Sequence, residues 1–275
     1  MPELPEAETI VRGLRPELTG KRVKDFVFLS PHLWRKQPAS ALRPDSYRGK
    51  RIEDIWRRGK LIVFSFNGQE GLLIHLKMTG QLYLTDPNQP VDKHTHALMT
   101  FSGLGKELRF RDIRKFGFLN CLKMAEIKEK VSAELGPEPL GIKSDEFYGL
   151  LKQYGKKRIK GWLLDQKIIA GIGNIYSDEM LFRAGINPER PAGSLSPEEA
   201  RKLYRAMRAV LKKAIELKGS SVSDYIDSSG KKGEFQKWHR VYGKEGQLCP
   251  RCQTTGIKRK KINGRSSFFC PVCQS

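Results

Sequence analysis

The sequence predicts an α+β protein of two domains. The first is an N-terminal helix plus an antiparallel β-sandwich, and the second is helical with a small cysteine-bearing β-hairpin. Three observations support this fold class. Short apolar and alternating runs fill residues 23–122, a Gly/Pro-rich segment interrupts the chain at 135–141, and helical spacing dominates after it. A chain of 275 residues also exceeds the usual size of a single core.

The first domain begins with a helix and continues as strands. Residues 5–15 have helical spacing, with Ile10 and Leu14 among the apolar positions. Turn residues such as Asn67-Gly68 separate the apolar runs that follow. We expect strands at 23–29, 61–66, 72–76, 82–84, 96–101, 108–111 and 118–122. Short strands with this turn spacing are typical of an antiparallel sandwich or barrel.

The second domain is expected to contain four helices. Leu135–Gly141 cannot continue either periodicity and makes an interdomain linker. Ser144 and Asn174 are candidate helix caps, and Ser196–Glu199 reads as a capping box. We expect helices beginning at 144, 157, 174 and 197, of which the last three end near 167, 185 and 219.

These patterns divide the chain into four expected segments. A sandwich domain occupies 2–131, a linker 132–145, a helical domain 146–235 and a cysteine-bearing finger 236–275. Residues 219–233 are rich in Gly, Ser and Lys and are expected to form a mobile loop within the helical domain.

Net charge indicates the kind of partner. The chain carries 51 Lys and Arg against 30 Asp and Glu, a formal net charge of +21. Such an excess indicates a polyanionic partner, with nucleic acid the first candidate. A basic membrane-surface protein would need a basic amphipathic helix, which we do not find, and no apolar run is long enough to span a bilayer. The start of the chain does not resemble a signal peptide, so we expect a cytoplasmic protein with no membrane partner.

Four of the five cysteines form two close pairs near the C-terminus. Cys249 and Cys252 are followed by Cys270 and Cys273 after a hairpin-length insert, in which we expect a turn at Asn263-Gly264 with Arg265 just beyond it. Two such pairs can present four thiolates tetrahedrally to Zn²⁺, and a site with four protein ligands is closed and structural. The sequence therefore predicts one structural zinc ion. Cys121 lies in an apolar run and is expected to be a buried, inert thiol.

Pro2 is a candidate nucleophile. Removal of Met1 would leave a secondary α-amine, whose pKa of about 7.7–8.0 keeps far more of it neutral at pH 7 than a lysine. When such an amine attacks a sugar carbon it forms a charged iminium that serves as an electron sink, and Glu3 stands beside it as a proton carrier. An alternative is that the prolines only start the first helix.

Gly171-Ile172-Gly173-Asn174 lies between two expected helices. Glycines there would let backbone N–H groups approach a phosphate. The upstream Lys156–Lys160 run adds positive charge. The same pattern is typical of a tight turn beside a solvated face, so alone it does not decide the function.

These residues and several further motifs resemble those of bacterial formamidopyrimidine-DNA glycosylases, the 8-oxoguanine repair enzymes. The resemblance extends over essentially the whole chain. The motifs are the MPELPE start, Arg58–Lys60, His75–Gly80, Lys93–His96, Arg111–Gly117, Leu135–Leu140, Leu164–Gln166, Gly171–Tyr176, Val241–Gly243 and the four-cysteine finger.

The resemblance implies a repair glycosylase with a helix-two-turn-helix domain and a zinc finger, acting as a monomer on damaged duplex DNA. Pro2 would attack the deoxyribose, expel the damaged base and form a Schiff base, while Glu3 would move protons at the sugar. Lys60 would contact phosphate and donate a proton during β-elimination. Arg265, recognised by its Gly264-Arg265 context, would serve δ-elimination and hold the flanking phosphates.

The resemblance also implies a set of DNA contacts. They are His75, His94, Arg114, Lys156, Asn174 and Tyr242. Met78, Arg114 and Phe116 resemble the trio that enters the duplex where the lesion leaves it, with the arginine facing the orphaned cytosine. By composition alone, Met78 and Phe116 would be ordinary core residues. Loop 219–233 corresponds to the region that closes over the extruded base.

Two alternatives to an oxidised-purine glycosylase remain at this point. The sister activity on oxidised pyrimidines shares the Pro-Glu start and the finger, but its members typically begin MPEGPE, so Leu4 favours the purine enzyme. A non-catalytic zinc DNA-binding protein would explain the charge and the cysteines. It would make no use of a free proline amine, Glu3 or Lys60.

Overall fold

The first helix lies at the very start of the chain. The computed structural model describes residues 1–275, and helix α1 spans Leu4–Leu18. Pro5 lies in its first turn, where the missing N–H removes no intrahelical hydrogen bond. Ile10 and Leu14 are fully buried because helical spacing places them on one face.

Eight strands follow, in two antiparallel sheets. They are β1 (Val23–Phe28), β2 (Ile52–Arg58), β3 (Leu61–Phe66), β4 (Glu70–His75), β5 (Gly80–Thr85), β6 (Thr95–Phe101), β7 (Glu107–Asp112) and β8 (Phe118–Lys123). The strand order is β1-β6-β7-β5 in one sheet and β2-β3-β4-β8 in the other. One buried apolar cluster contains residues of both sheets and of α1. The sandwich prediction is confirmed.

Strand β2 is absent from the sequence expectation. Only Ile52 and Ile55 are buried on it, and they are three residues apart. A register shift between Ile52 and Asp54 in the pairing with β3 explains the spacing, since a bulge breaks the two-residue alternation that marks a strand.

Two short helices and a 3₁₀ turn complete this part of the chain. Helix α2 spans Pro31–Arg35 and helix α3 spans Met124–Glu134. The 3₁₀ turn places Tyr47 in the core, where its ring centroid lies 4.9 Å from that of Phe66. The Tyr47 hydroxyl donates a hydrogen bond of 2.7 Å to the carbonyl of Gly71, so this buried polar group is satisfied.

The Gln37 side chain covers the free edge of β8. Its Nε2 donates to the carbonyls of Leu33, at 3.1 Å, and of Leu119. Its Oε1 accepts a 3.1 Å bond from the Cys121 amide. One amide side chain therefore bonds as a neighbouring strand would, and an exposed edge is closed.

The helical region contains four helices and a hairpin. They are α4 (Ser144–Gln153), α5 (Ile159–Leu164), α6 (Asn174–Ala184), α7 (Pro197–Glu216), β9 (Lys258–Ile262) and β10 (Arg265–Phe269). The capping box between Ser196 and Glu199 is present, with both reciprocal bonds. Residues Lys143 and Gly173 occupy the cap positions expected for Ser144 and Asn174. No helix of the structure is both long and apolar enough to cross a membrane.

The chain forms two compact units. One contains residues 1–133 with 217–236, and the other contains 134–216 with 237–275. The expected boundaries placed 219–233 in the helical domain, whereas the structure packs this segment with the sandwich. The Leu84 amide donates a 2.8 Å bond to the carbonyl of Ser228, which ties the segment to β5.

Replacement of Gln37 by alanine should lower the free energy of unfolding by about 1–3 kcal/mol, because it leaves the buried Cys121 amide without its acceptor. Thermal and denaturant unfolding would measure the change. Gln89→Ala, which removes an exposed side chain in the loop after β5, is the matched control. Equal stabilities of the two variants would contradict the assignment.

Candidate functional site

The N-terminal residues are held in place by a buried carboxylate. Pro2 and Glu3 are buried at the start of α1, while Met1 is 41% exposed. Glu6 accepts a 2.7 Å bond from the Glu3 amide in a capping box, and its other oxygen accepts a 2.7 Å bond from the Ser220 amide. The nucleophile candidate therefore lies on a fixed helix end.

Only glycine fits where loop 219–233 meets Glu6. Gly219 has a φ of +79°, and a Cβ there would lie 2.7 Å from Glu6 Oε1. A larger residue would be strained and would displace the carboxylate.

Lys60 lies in the turn between β2 and β3. Gly59 takes the first central position of this two-residue turn with a φ of +57°, as in type II′ turns. The Arg57 guanidinium donates to Glu8 of α1 at 2.9 Å and to the Gly59 carbonyl at 3.0 Å. This bridge fixes the Lys60 turn relative to the helix that carries Pro2.

His75 ends β4, directly across from Leu61. Its Nδ1 accepts a 2.9 Å bond from the Lys77 amide, so the neutral ring carries its proton on Nε2. Burial lowers the pKa of His75 to about 3, and the charges of Lys77 and Lys60 act in the same direction. His75 is therefore a neutral N–H donor at physiological pH.

Met78, Arg114 and Phe116 form an exposed trio. Met78 is 39% exposed and Phe116 is 49% exposed, so neither is a core residue. The Arg114 guanidinium lies 4.8 Å from the centroid of the Phe116 ring, and its Nη1 lies 3.2 Å from Met78 Sδ. The structure brings together three residues from two separate loops.

The buried carboxylate of Asp112 organises the loop at residues 112–117. It accepts bonds from the amides of Arg114, at 3.3 Å, and Gly117, at 2.7 Å, and from the Thr79 hydroxyl of the neighbouring loop. Sequence analysis did not identify Asp112 as functional, since nothing local distinguishes it from other charged residues in the motif.

A strained lysine precedes each apolar member of the exposed trio. Lys77 has a φ of +52° and Lys115 a φ of +57°, in the left-handed region that residues with a Cβ seldom occupy. Such backbone strain persists where surrounding contacts fix it and is common at ligand-binding loops.

His94 lies beside the same loop. Its amide donates a 2.6 Å bond to Asp92, and its carbonyl accepts a 2.9 Å bond from the Asp112 amide. In the second unit, Lys156 lies exposed in the turn between α4 and α5.

Asn174 is the first residue of α6 and contacts the finger hairpin. Its Nδ2 donates a 2.9 Å bond to the carbonyl of Ser266, the residue after Arg265. Its backbone carbonyl accepts a 3.1 Å bond from Lys160. Arg265 is exposed just beyond the Asn263-Gly264 turn, as the sequence predicts.

Lys160, expected to add surface charge, is fully buried. Its ammonium lies 2.7 Å from the carboxylate of Asp178, whose second oxygen accepts a 3.1 Å bond from the Phe268 amide of β10. Burial raises the pKa of Asp178 to about 7, against the opposing charge of Lys160. The pair joins α5, α6 and the hairpin.

Tyr242 is positioned by a second buried acid that sequence analysis missed. The Glu179 carboxylate accepts bonds of 2.9–3.0 Å from the amides of Arg240, Val241 and Tyr242. The Tyr242 ring packs 5.3 Å from that of Phe268. The only sequence signal for Glu179 is its place just after the Gly171–Tyr176 motif.

The four finger cysteines converge. Their Sγ atoms all lie within 4.8 Å of one another. The Cys249–Cys273 and Cys252–Cys270 distances are 3.8 and 3.7 Å. Four thiolates at about 2.3 Å from one tetrahedral Zn²⁺ are about 3.8 Å apart, so this set fits the ion.

Backbone amides donate hydrogen bonds to two of these sulfur atoms. The amide of Arg251 donates to Cys249 Sγ at 3.4 Å, and that of Cys273 donates to Cys270 Sγ at 3.3 Å. Cys121 lies outside the cluster, and burial raises the pKa of its thiol to about 12.

Three family models match successive parts of the chain. The formamidopyrimidine-DNA glycosylase N-terminal domain matches residues 1–119, the formamidopyrimidine-DNA glycosylase H2TH domain matches 135–226, and the zinc finger found in FPG and IleRS matches 246–275.

Full-length relatives agree with these matches. A formamidopyrimidine-DNA glycosylase of Carboxydothermus hydrogenoformans is 42% identical over 275 residues, covering 100% of both chains. One of Solibacter usitatus is 46% identical, covering 100% of this chain and 99% of the relative.

Solved structures show the same similarity. Lactococcus lactis Fpg in complex with DNA containing N7-benzyl-Fapy-dG has a TM-score of 0.88 and 34% identity, with 100% of each chain covered. Its complex with DNA containing an abasic site has a TM-score of 0.88 and 33% identity, with 99% of each covered.

Cys252→Ala should lower bound zinc well below one ion per chain and increase hydrogen exchange in residues 258–269, because metal binding orders such fingers. Metal analysis and exchange mass spectrometry would measure both. Cys121→Ala, at a buried cysteine outside the cluster, should retain the metal. Full zinc content in Cys252→Ala would contradict the assignment.

His75 should make folding stability depend on pH. Between its folded pKa of about 3 and the unfolded value of about 6.5, the unfolded chain binds a proton that the folded chain does not. The contribution of His75 to the free energy of unfolding therefore falls as the pH falls from about 6.5 to about 3. His75→Gln should make the slope of unfolding free energy against pH shallower by up to about one proton. An unchanged slope between pH 4.5 and 6.5 would contradict it.

Proposed function

The chain belongs to the formamidopyrimidine-DNA glycosylase family, and from this we propose that it is a base-excision repair enzyme acting on oxidised purines in duplex DNA. It removes 8-oxoguanine and formamidopyrimidines and then cleaves the abasic site by β,δ-elimination. The observation that carries the proposal is the buried N-terminal Pro2-Glu3 pair, fixed to the Lys60 turn through the Glu8–Arg57–Gly59 bridge.

Pro2 is the proposed nucleophile. After Met1 is removed, its neutral nitrogen attacks C1′ of the deoxyribose, the bond to the base breaks, and the base leaves with the electron pair and a proton. Opening of the sugar ring gives an iminium on Pro2, which draws electrons from C2′ and promotes loss of its proton. The 3′ phosphate leaves with loss of the C2′ proton, loss of the C4′ proton then expels the 5′ phosphate, and hydrolysis of the remaining iminium frees the enzyme.

Three residues assist these steps. Glu3, which is almost completely buried beside Pro2, moves protons at the sugar. Lys60 contacts phosphate and donates a proton during β-elimination. Arg265, exposed on β10, serves δ-elimination and holds the phosphates flanking the lesion.

The exposed trio occupies the space that the extruded base leaves. Extrusion costs a few kcal/mol and leaves an apolar gap and an unpaired base, which an aromatic ring, a thioether and a charged donor can fill. In this proposal Arg114, which stacks on the Phe116 ring, faces the orphaned cytosine. Loop 219–233, joined to Glu6, closes over the extruded base.

Other contacts hold the phosphate backbone. His75 offers a neutral Nε2–H donor, and His94, Lys156, Asn174 and Tyr242 provide the remaining proposed contacts. We expect the chain to act as a monomer on duplex DNA. When bound, Zn²⁺ orders the finger that carries Arg265 and takes no part in the reaction.

Borohydride should trap a covalent adduct between this protein and duplex DNA that contains one 8-oxoguanine, because it reduces the iminium on Pro2. Pro2→Gly, or an N-terminal tag that is not removed, should abolish trapping. Gel mobility after denaturation would measure the adduct. Glu17→Gln, an exposed position at the far end of α1, is the matched control and should trap normally.

The outcome separates the alternatives. No adduct from protein that lacks Met1 would leave only a non-catalytic zinc DNA-binding protein. Faster trapping on a parallel duplex that carries an oxidised pyrimidine would favour the sister activity over the oxidised-purine enzyme.

A further inference from the structure

Lys36 donates hydrogen bonds to the backbone carbonyls of the 112–117 loop, whose amides donate to Asp112. It follows α2, and its ammonium donates to the carbonyl of Gly117 at 2.9 Å and to that of Lys115. Hydrogen bonds from a charged donor are stronger than those between neutral groups. No carboxylate forms an ion pair with Lys36 within 4 Å, so its bonding is directed at this loop.

Two charged side chains therefore form hydrogen bonds with the loop backbone. Asp112 accepts from the loop amides, and Lys36 donates to the loop carbonyls. Between them, Lys115 is in the left-handed conformation, with a φ of +57°. A strained residue of this kind keeps its conformation only while its surroundings hold it there.

Burial raises the cost of leaving the Gly117 carbonyl unpaired. Gly117 is buried and Lys36 is half-buried, so loss of the ammonium removes a charge-assisted hydrogen bond from the carbonyl of a buried residue. Burial also lowers the pKa of Lys36, with Asp112 opposing that shift.

We propose that Lys36 is a positioning residue, which fixes Arg114 and thereby sets a preference for cytosine opposite the damaged base. This role rests on the function proposed above. Cytosine presents two acceptors, O2 and N3, to a guanidinium, whereas adenine places an amino donor beside its N1 acceptor. Discrimination between them needs Arg114 at hydrogen-bond distance, while the apolar contact of Phe116 tolerates a small shift.

The test compares single-turnover excision of 8-oxoguanine opposite cytosine and opposite adenine. Arg114→Ala should lower the cytosine-to-adenine rate ratio roughly tenfold, as expected for loss of one bidentate contact. Lys36→Met should lower the same ratio by at least about threefold, and Lys36→Arg, which can still donate to both carbonyls, should restore it.

Gln37→Ala is the matched control. It removes the hydrogen bonds of Gln37 to Leu119 and Cys121 on β8, which begins directly after the loop. It should lower the free energy of unfolding without changing the cytosine-to-adenine rate ratio. Loss of folded protein lowers both rates equally, so the ratio separates positioning from stability.

A second measurement does not depend on catalysis. Lys36→Met should increase hydrogen exchange in residues 112–117 of the free protein, and Gln37→Ala should not. Unchanged exchange in Lys36→Met overturns the proposal whatever the activity shows.

The remaining outcomes are also decisive. An unchanged ratio in Lys36→Met, when Arg114→Ala lowers it, overturns the role of Lys36. Equal loss on both substrates with a weaker salt dependence of binding would make Lys36 a phosphate contact instead. If Arg114→Ala itself leaves the ratio unchanged, the proposed role of Arg114 in facing cytosine fails, and with it the specificity role of Lys36.

Discussion

The buried carboxylate of Glu6 is the interaction on which the Pro2-Glu3 end of the sandwich unit depends. It accepts the amide of Glu3 on one side and the amide of Ser220 on the other, although Glu6 and Ser220 are 214 residues apart in the chain. A negative charge at a helix N-terminus is favoured by the helix dipole. Chain termini usually fray. Here the terminus that carries the proposed nucleophile is instead held at Glu6, whose carboxylate accepts two backbone hydrogen bonds.

Other buried carboxylates also accept hydrogen bonds from backbone amides. Asp112 accepts from the amides of the 112–117 loop, and Glu179 accepts from the amides of residues 240–242. Asp178 pairs with Lys160 and the hairpin. In a chain of net charge +21, these acids lie inside and bond to backbone, while most of the lysines and arginines remain outside. The surface presented to a polyanion is therefore more positive than the composition suggests.

Local patterns were enough to predict much of this protein. Spacing identified the four finger cysteines, and alternation identified most strands. The Asn263-Gly264 turn placed Arg265 correctly at the hairpin tip. The limits are physical. A bulge hid β2 because it broke the alternation. Lys160 looked like surface charge because its partner Asp178 lies eighteen residues further on.

The roles of the buried acids could not be predicted from short sequence windows either, because their hydrogen-bond partners are distant in the chain. The Glu179 carboxylate serves the Val241 amide 62 residues away, and no short window contains both. The spacing of residues in the sequence likewise does not predict the roles of the site residues. They came from resemblance to a known family, and the structure adds which of those residues share a loop, a turn or a helix end.

The division of the chain between its units has a consequence for biosynthesis. Residues 217–236 belong to the first unit, and residues 134–216 of the second lie between them and the rest of that unit in the chain. At typical synthesis rates of about 5–20 residues per second, the Ser220 amide reaches Glu6 on the order of ten to forty seconds after the N-terminus is made. During that interval the Glu6 carboxylate lacks its Ser220 partner, and the start of α1 has only the local bond between Glu6 and the Glu3 amide. The N-terminal end of α1 therefore gains its full set of hydrogen bonds only after residues 217–236 have been made.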